Sequence, residues 1–337
     1  MARTVRFHEL GGPDVMRLED VDPGEPGPGE VRLRVEAIGV NRAEALFRSG
    51  HYIEPVKRFP ARLGNEAAGV IEAIGPDVTG FEPGQRVSVV PNFSQNDYGV
   101  YAEAAIVPVT SLVPRPEPVD AVSGAAVWMP YLTAYGAMAE VARMRAGDVA
   151  VIDAASSSVG LAAIHTADRL GARPFAVTRT RAKARQLAEE GAAEVIVSEE
   201  EDVTARVLEL TGGKGAEYVF DAVAGPGVVD LARAVAPGGT LFLWGALSGR
   251  PTPYPGFDLG MPALNMRTYT MLEIAKDPER LRRAVAFITS GLRAGAFRPV
   301  VDRVFPLEQI VQAHRHMESN TQFGKIVVTT AQRGARP

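Results

Sequence analysis

The 337-residue chain contains no cysteine. That absence excludes a disulfide framework, a thiolate nucleophile, cysteine-ligated zinc and an iron–sulfur cluster. Net charge is small: 36 Lys and Arg against 40 Asp and Glu leave −4. With a pI near 5.9, non-specific binding to nucleic acid or to an anionic membrane is not expected. Histidines number only five, and His314 and His316, two apart on a predicted helix, point to different faces and make no metal pair. Long apolar runs are also missing. The uncharged stretch 121–139 owes its hydropathy largely to alanine and is interrupted by Ser123, Gly124, Pro130, Thr133 and Gly136. A spanning helix needs ~20 strongly apolar residues, so this stretch reads as a buried helix. The N-terminal MARTVRFHEL has no apolar core of signal-peptide length, and a cytoplasmic protein is expected.

What is present is an ordinary globular composition, 46% hydrophobic and 23% charged, at a length that fits two domains of ~100–200 residues. The first 120 residues read as β-rich. Val31-Arg-Leu-Arg-Val-Glu-Ala alternates at period 2, as a half-buried strand does, and 69–75 and 86–90 are further short strands between Gly/Pro turns. Pro114–Pro118 is the predicted linker. Beyond it the texture changes to strands alternating with helices. Val149–Asp153 precedes a helical pattern at Val159, Leu161, Ala162, Ile164, Ala167 and Leu170. Pro174–Thr178, Glu194–Val197, Tyr218–Asp221 and Thr240–Trp244 are later strands. Such alternation predicts a parallel sheet covered by helices on both faces. Strand character returns at 299–304 and 325–329, which are assigned back to the first domain.

A dinucleotide site in such a sheet places the pyrophosphate on the helix N-terminus after the first strand. That turn is 153–160, DAASSSVG. The G-x-G-x-x-G fingerprint would need glycine at Ala155, Ser157 and Gly160, and only the last complies. Alanine and serine are small enough for close approach, and serine hydroxyls can bind phosphate, yet an ordinary serine-capped turn would carry the same letters. The following region is more telling. From 169 to 188 there is no Asp or Glu, whereas Arg169, Arg173, Arg179, Arg181, Lys183 and Arg185 fall there. A ribose 2′-phosphate needs cations and no opposing carboxylate, so NADP(H) is the expected cofactor. Arg179 and Lys183, just beyond Thr178, are positioned to reach it. Two or three of the other cations form a solvated face.

Several segments together resemble one family. GGPDVM at 11–16, GVNRAEALFRSGHY at 39–52, LGNEAAGVIEAIGPDVTGFEPGQRV at 63–87, YGVYAE at 98–103, LTAYGAM at 132–138, AASSSVG at 154–160 and FGKIVV at 323–328 are similar to the medium-chain dehydrogenase/reductase superfamily. More narrowly they resemble its zinc-independent quinone oxidoreductase (zeta-crystallin-like) branch. The resemblance implies an α/β protein: a GroES-like, partly open β-barrel catalytic domain at 1–120 and 298–337, and a Rossmann NADP-binding domain at 121–297. Where zinc-dependent members carry catalytic Cys, His and Cys, this chain has Asn41, Asn65 and Met129. These are poor zinc ligands, and no metal is expected.

The same resemblance implies hydride transfer from NADPH to a small electrophilic acceptor, a quinone or an α,β-unsaturated carbonyl. Alternatives are a zinc-free carbonyl or alcohol dehydrogenase, or a non-catalytic crystallin-like protein that binds NADPH. Asn41 and Tyr52 are the implied catalytic residues. Asn65, Met129, Tyr98, Tyr131 and His51 are the implied pocket. Cofactor contacts are implied for Thr133, Ser156, Ser157, Ser158, Val159, Gly160, Thr178, Arg179, Lys183 and Val223, for the backbone of Gly245, Ala246 and Leu247, and for Asn320 and Lys325 closing over the cofactor. Leu46 stands where quinone reductases of the branch often carry a tyrosine, and Ser157-Ser158 replaces their glycine pair, which marks a side subfamily. A homodimer formed through a sheet edge near 240–244 is expected, with neither nucleic acid nor membrane as partner.

Overall fold

The computed structural model describes residues 1–257, 261 and 263–330. They form two compact units, one of Met1–Met129 with the segment returning from Pro299, the other of Pro130–Arg298. The first crossing falls after Met129 rather than at 120. The reason is local: Ser88 Oγ donates to Gly124 O at 3.0 Å, and Ala125 and Ala126 pack on Ala37, Ala68 and Val327. The predicted linker is also part of this unit. Pro114 ends a strand, and Arg115 is buried with its guanidinium 3.1 Å from Glu36 Oε2.

The strands of the first unit are β1 (Ala2–Phe7), β2 (Met16–Val21), β3 (Glu30–Val40), β4 (Ala61–Arg62), β5 (Ala67–Ile74), β6 (Arg86–Val89), β7 (Ala104–Pro108) and β8 (Leu112–Pro114). β1 pairs with β2 and β4, while β3 is the spine of the larger sheet, between β5 on one edge and β7 on the other. Along β3 every second residue from Val31 is buried, as the period-2 pattern requires, until Ala37–Val40, where burial becomes continuous. Gly39 explains the change. A Cβ at this position would lie 2.1 Å from Ala125 O, so only glycine lets this backbone press against the strand end. The next residue, Asn41, is therefore delivered into a buried place, and it opens the helix Arg42–Ser49.

In the second unit, β9 (Val149–Ile152), β10 (Arg173–Thr178), β11 (Glu194–Val197), β12 (Ala216–Asp221), β13 (Val235–Leu243) and β14 (Asn265–Thr268) form one parallel sheet in the spatial order β11-β10-β9-β12-β13-β14. Counted from β9 this is 3-2-1-4-5-6, the doubly wound order that binds dinucleotides where strand order reverses. That switch point lies between β9 and β12. β9 is buried at all four positions, as a strand covered on both faces must be. The expected sheet edge at 240–244 is interior, because Thr240–Leu243 pairs with β12 and also with β14. The edge strand β14 reads NMRT, too short and too polar to register as a strand.

The chain then returns to the first unit with β15 (Val301–Pro306) and β16 (Lys325–Thr329). β16 runs antiparallel to the end of β3, with Ile326 opposite Val40. This register carries Lys325 to Asn41. The uncharged stretch at 121–139 folds as short helices at Ala121–Gly124 and Trp128–Tyr135, followed by a π-helical turn at Gly136–Val141. Among the described residues no helix is long and apolar enough to cross a membrane.

Candidate active site

In the second unit the turn after β9 leads into the helix Ser158–Arg169. Ser157 is its cap and accepts from Gly160 N at 3.0 Å. Glycine is required at 160, where a Cβ would lie 2.5 Å from Ala155 O. The helix start is thus folded tightly onto the turn, with Ser156 and Ser158 partly accessible and Val159 buried. β10 ends at the buried Thr178, and Lys183 Nζ lies 3.2 Å from Ser156 Oγ. The remaining cations of the basic segment are engaged elsewhere. Arg169 donates to Ser290 Oγ at 2.8 Å and lies over Phe287 and Phe297; Arg173 lies over Phe175; Arg181 pairs with Glu200 and Arg185 with Glu189. Arg179 is exposed, without an ion pair among the described residues. After β12, Val223 N donates to Asp221 Oδ1 at 2.6 Å. Leu247 differs from expectation: its N–H is donated to Ala222 O at 3.1 Å and is not available to a ligand. Gly245 remains necessary, since a Cβ there would lie 2.5 Å from Ala222 O. Ala246 O accepts from Gly249 N at 3.1 Å, and Thr133 is buried in the helix Trp128–Tyr135.

In the first unit, Asn41, Glu44, Glu66 and Lys325 form a buried polar cluster. Lys325 Nζ lies 2.6 Å from Glu66 Oε2 and also donates to Asn41 Oδ1. Asn41 Nδ2 donates to Glu66 Oε2 and to Gly39 O, both at 3.2 Å, and Asn41 N donates to Glu44 Oε2 at 2.8 Å. Met129 N completes Glu66 through Oε1 at 2.8 Å. Asn41 therefore has both amide hydrogens committed inside the protein, against its expected part as a free donor. Lys325 is likewise placed away from any cofactor role: it is 1% exposed, its ammonium held by two oxygens. Burial pushes the Glu44 carboxyl up to about 7, partly opposed by Lys325, and among the described residues its Oε1 has no hydrogen-bond partner. Asn65 Oδ1 is also buried and has none among the described residues. Tyr52 is half-buried, edge-on to Phe47 at 6.3 Å, and burial with Glu44 and Glu54 nearby raises its phenol to about 12. It holds its proton at neutral pH.

Three further expectations are corrected. Tyr98 donates to Glu30 Oε1 at 2.7 Å, at the opposite end of β3 from Asn41. Tyr131 is core, 2% exposed, its hydroxyl 2.8 Å from His165 Nδ1 and its ring 4.7 Å from that of Phe297. Asn320 caps its own helix end, with Oδ1 accepting from Arg42 at 2.6 Å. His51 is exposed, with Nδ1 3.1 Å from Ser49 Oγ. Glu44, Glu66, Asp153 and Asp221 escaped the sequence reading. The first was signalled by the N-x-x-E capping box at 41–44, and the last two by an aspartate closing each of two neighbouring strands.

A family model described as "Alcohol dehydrogenase GroES-like domain" matches residues 27–117, and one described as "Zinc-binding dehydrogenase" matches 190–328. The zinc that the second description implies does not fit this chain. The positions that would ligate it hold two asparagines and a methionine, and the Asn41 oxygen already accepts from a buried ammonium, whose charge opposes a second cation. A quinone oxidoreductase of Pseudomonas aeruginosa is 33% identical over 332 residues, 97% of this chain and 99% of that protein. A 2-haloacrylate reductase of Burkholderia sp is 30% identical over 335 residues, 97% and 99% of the two chains. The crystal structure of Escherichia coli quinone oxidoreductase complexed with NADPH superposes with a TM-score of 0.90 at 26% identity, covering 98% of this chain and 100% of that one.

Proposed function

The chain belongs to the medium-chain dehydrogenase/reductase superfamily, in its quinone oxidoreductase branch, and on that premise we propose that it is an NADPH-dependent reductase of quinones or of alkenes conjugated to a carbonyl. The observation that carries the reading is the 3-2-1-4-5-6 parallel sheet, whose first turn is capped by Ser157 and whose second strand leads into Arg179 and Lys183, in a stretch, 169–188, that has no Asp or Glu. A relative solved with NADPH and relatives named for quinone and 2-haloacrylate reduction support it.

When bound, NADPH supplies the hydride. The chain's own groups do the rest. The N–H groups opening the helix Ser158–Arg169, with the Ser156 and Ser158 hydroxyls, hold the pyrophosphate, and Thr178, Arg179 and Lys183 hold the 2′-phosphate. Tyr52 donates the proton that balances the hydride, to the acceptor oxygen or to the α-carbon of the enolate. The Asn65 amide NH2, as donor, orients the acceptor's carbonyl oxygen. Asn41, Glu66 and Lys325 hold one another by hydrogen bonds beside Asn65, and their buried ammonium opposes the binding of a metal cation there. The enzyme is taken to be a homodimer.

The test is oxidation of NADPH followed at its absorbance with 9,10-phenanthrenequinone, 1,4-benzoquinone and 2-alkenals as acceptors. Turnover with at least one is expected. NADPH binding without turnover of any would leave a nucleotide-binding protein and remove the enzymatic reading.

A further inference from the structure

The switch point of the parallel sheet holds two carboxyls whose role the hydride-transfer reading leaves open. Phe220 on β12 lies opposite Ile152 on β9, so the residues that follow, Asp221 and Asp153, end adjacent parallel strands side by side. Neighbouring strands are ~4.8 Å apart and in-register side chains share a face. The two carboxyls are near enough for each to act on the other's ionisation. Asp221 is 1% exposed and accepts from Val223 N at 2.6 Å and Ala224 N at 3.1 Å. Asp153 accepts from Ala154 N at 2.6 Å. Ala154 and Ala224 are the only alanines of positive φ among the described residues. Each is therefore held in a conformation unfavourable for a residue with a Cβ by one member of the pair.

Two carboxylates at this separation in a desolvated place do not both ionise readily. Burial raises both, with the Asp221 charge adding to Asp153, and no cation offsets the rise. Asp221, with two backbone donors, is the member that keeps the charge, and Asp153 is the member that keeps the proton and donates it to Asp221. The charged groups around them are few. From the turn and the region after β10 come Lys183, which reaches Ser156 Oγ at 3.2 Å, the exposed Arg179, and Arg181 paired with Glu200; β9 and the end of β13 contribute none, and β12 contributes Glu217 near its start, which accepts from Val149 N at 2.8 Å.

We propose that the Asp153–Asp221 pair is a proton-holding site that positions the phosphate turn and makes dinucleotide binding proton-coupled: the ligand is held while the two carboxyls share one proton, and loss of that proton weakens it. This rests on the dinucleotide reading of the turn. The ligand's pyrophosphate brings negative charge to the turn that begins at Ala154, directly after Asp153. A second ionised carboxylate there repels both the phosphates and Asp221, and it removes the bond that ties the two strand ends together. Asp153 is thus a positioning residue, acting through the turn and through Asp221.

The experiment is calorimetric titration of NADPH into the full-length protein between pH 6.5 and 8.5, in paired buffers of unlike ionisation enthalpy. Wild-type protein is expected to take up a measurable fraction of a proton on binding, with Kd rising several-fold across this range and by at most about tenfold per pH unit. Asp153→Asn keeps a donor to Asp221 that cannot be titrated. It is expected to bind within about twofold of wild type at pH 6.5 and to lose the rise, leaving only the titration of the ligand's own phosphate near pH ~6. Equal pH dependence in the two proteins would overturn the proposal. Should the variant fail to fold, the wild-type buffer comparison decides alone, because binding without proton uptake also overturns it. Failure of NADPH to bind at any pH would instead overturn the dinucleotide reading, and the proposal with it.

Discussion

Lys325 shows most clearly how single residues are constrained in this protein. Its ammonium is 1% exposed and 2.6 Å from Glu66 Oε2. A buried pair of this kind contributes little net stability against an apolar replacement of both partners, yet removing one partner strands the other charge. Lys325→Met is therefore expected to cost about 3–5 kcal/mol in urea denaturation, and adding Glu66→Gln to restore most of it. Restoration should fail if the ammonium has a role beyond the pair. Tyr52 makes the second prediction at this scale. Its phenol, raised to about 12, is a donor at working pH. An enolate must be protonated on carbon, whereas the oxyanion of a reduced quinone exchanges readily with water. Tyr52→Phe should slow 2-alkenal reduction by on the order of 10²-fold and quinone reduction much less. Equal rates for wild type and variant with both acceptors would take Tyr52 out of the mechanism.

At the scale of elements, the strand–turn–helix after β9 replaces a glycine-rich fingerprint by other means. Ser157 supplies the cap, and Gly160 alone allows the close approach to Ala155. In the proposed function the segment after β10 sets the choice between the two nicotinamide dinucleotides. Among its cations, Arg169, Arg173, Arg181 and Arg185 are held by partners away from the turn, Lys183 reaches Ser156 Oγ in the turn at 3.2 Å, and Arg179 is exposed at the strand end. Charge-assisted hydrogen bonds are worth ~1.5–3 kcal/mol each when buried, and roughly half or less where the cation is solvent-exposed, as Arg179 is. Replacing both by alanine is expected to lower the preference for NADPH over NADH by about 10–100-fold, read as the ratio of kcat/KM for the two. An unaltered ratio would refute the 2′-phosphate assignment.

For the whole molecule, each unit has its own core. One is built on Val31, Leu33, Val35 and Ile38 with Val328 from the returning segment, the other on Val151, Phe175, Val177 and Leu241. Among the described residues the six-stranded sheet ends on β14, a four-residue strand paired on one side only, which is where a second copy would extend it. Sedimentation equilibrium is expected to return twice the chain mass of 35.9 kDa. A species of single mass across the concentration range would exclude the dimer.

The architecture was written in local patterns. Period-2 alternation at Val31–Ala37, the apolar runs ending at Asp153 and Asp221, and the glycine that must stand at 160 each follow from a neighbourhood of a few residues, so sequence alone determined a β-rich unit followed by a parallel α/β sheet. The absence of cysteine, with asparagine and methionine where the resemblance puts the zinc ligands, is the sequence's argument against zinc. What the sequence could not decide was which polar groups spend their hydrogen bonds on one another. Asn41 and Lys325 are 284 positions apart and meet only because β16 pairs with the end of β3; Tyr98 and Glu30 are 68 apart, and Tyr131 and His165 are 34 apart. Asp153 and Asp221 are neighbours only through the order of the strands. Long-range pairing is set by sheet register, which reverses the availability of a side chain without altering a letter near it. Tertiary structure therefore turned Asn41 from donor to scaffold, left Asn65 with an oxygen that has no partner among the described residues, and placed two carboxyls side by side at the switch point.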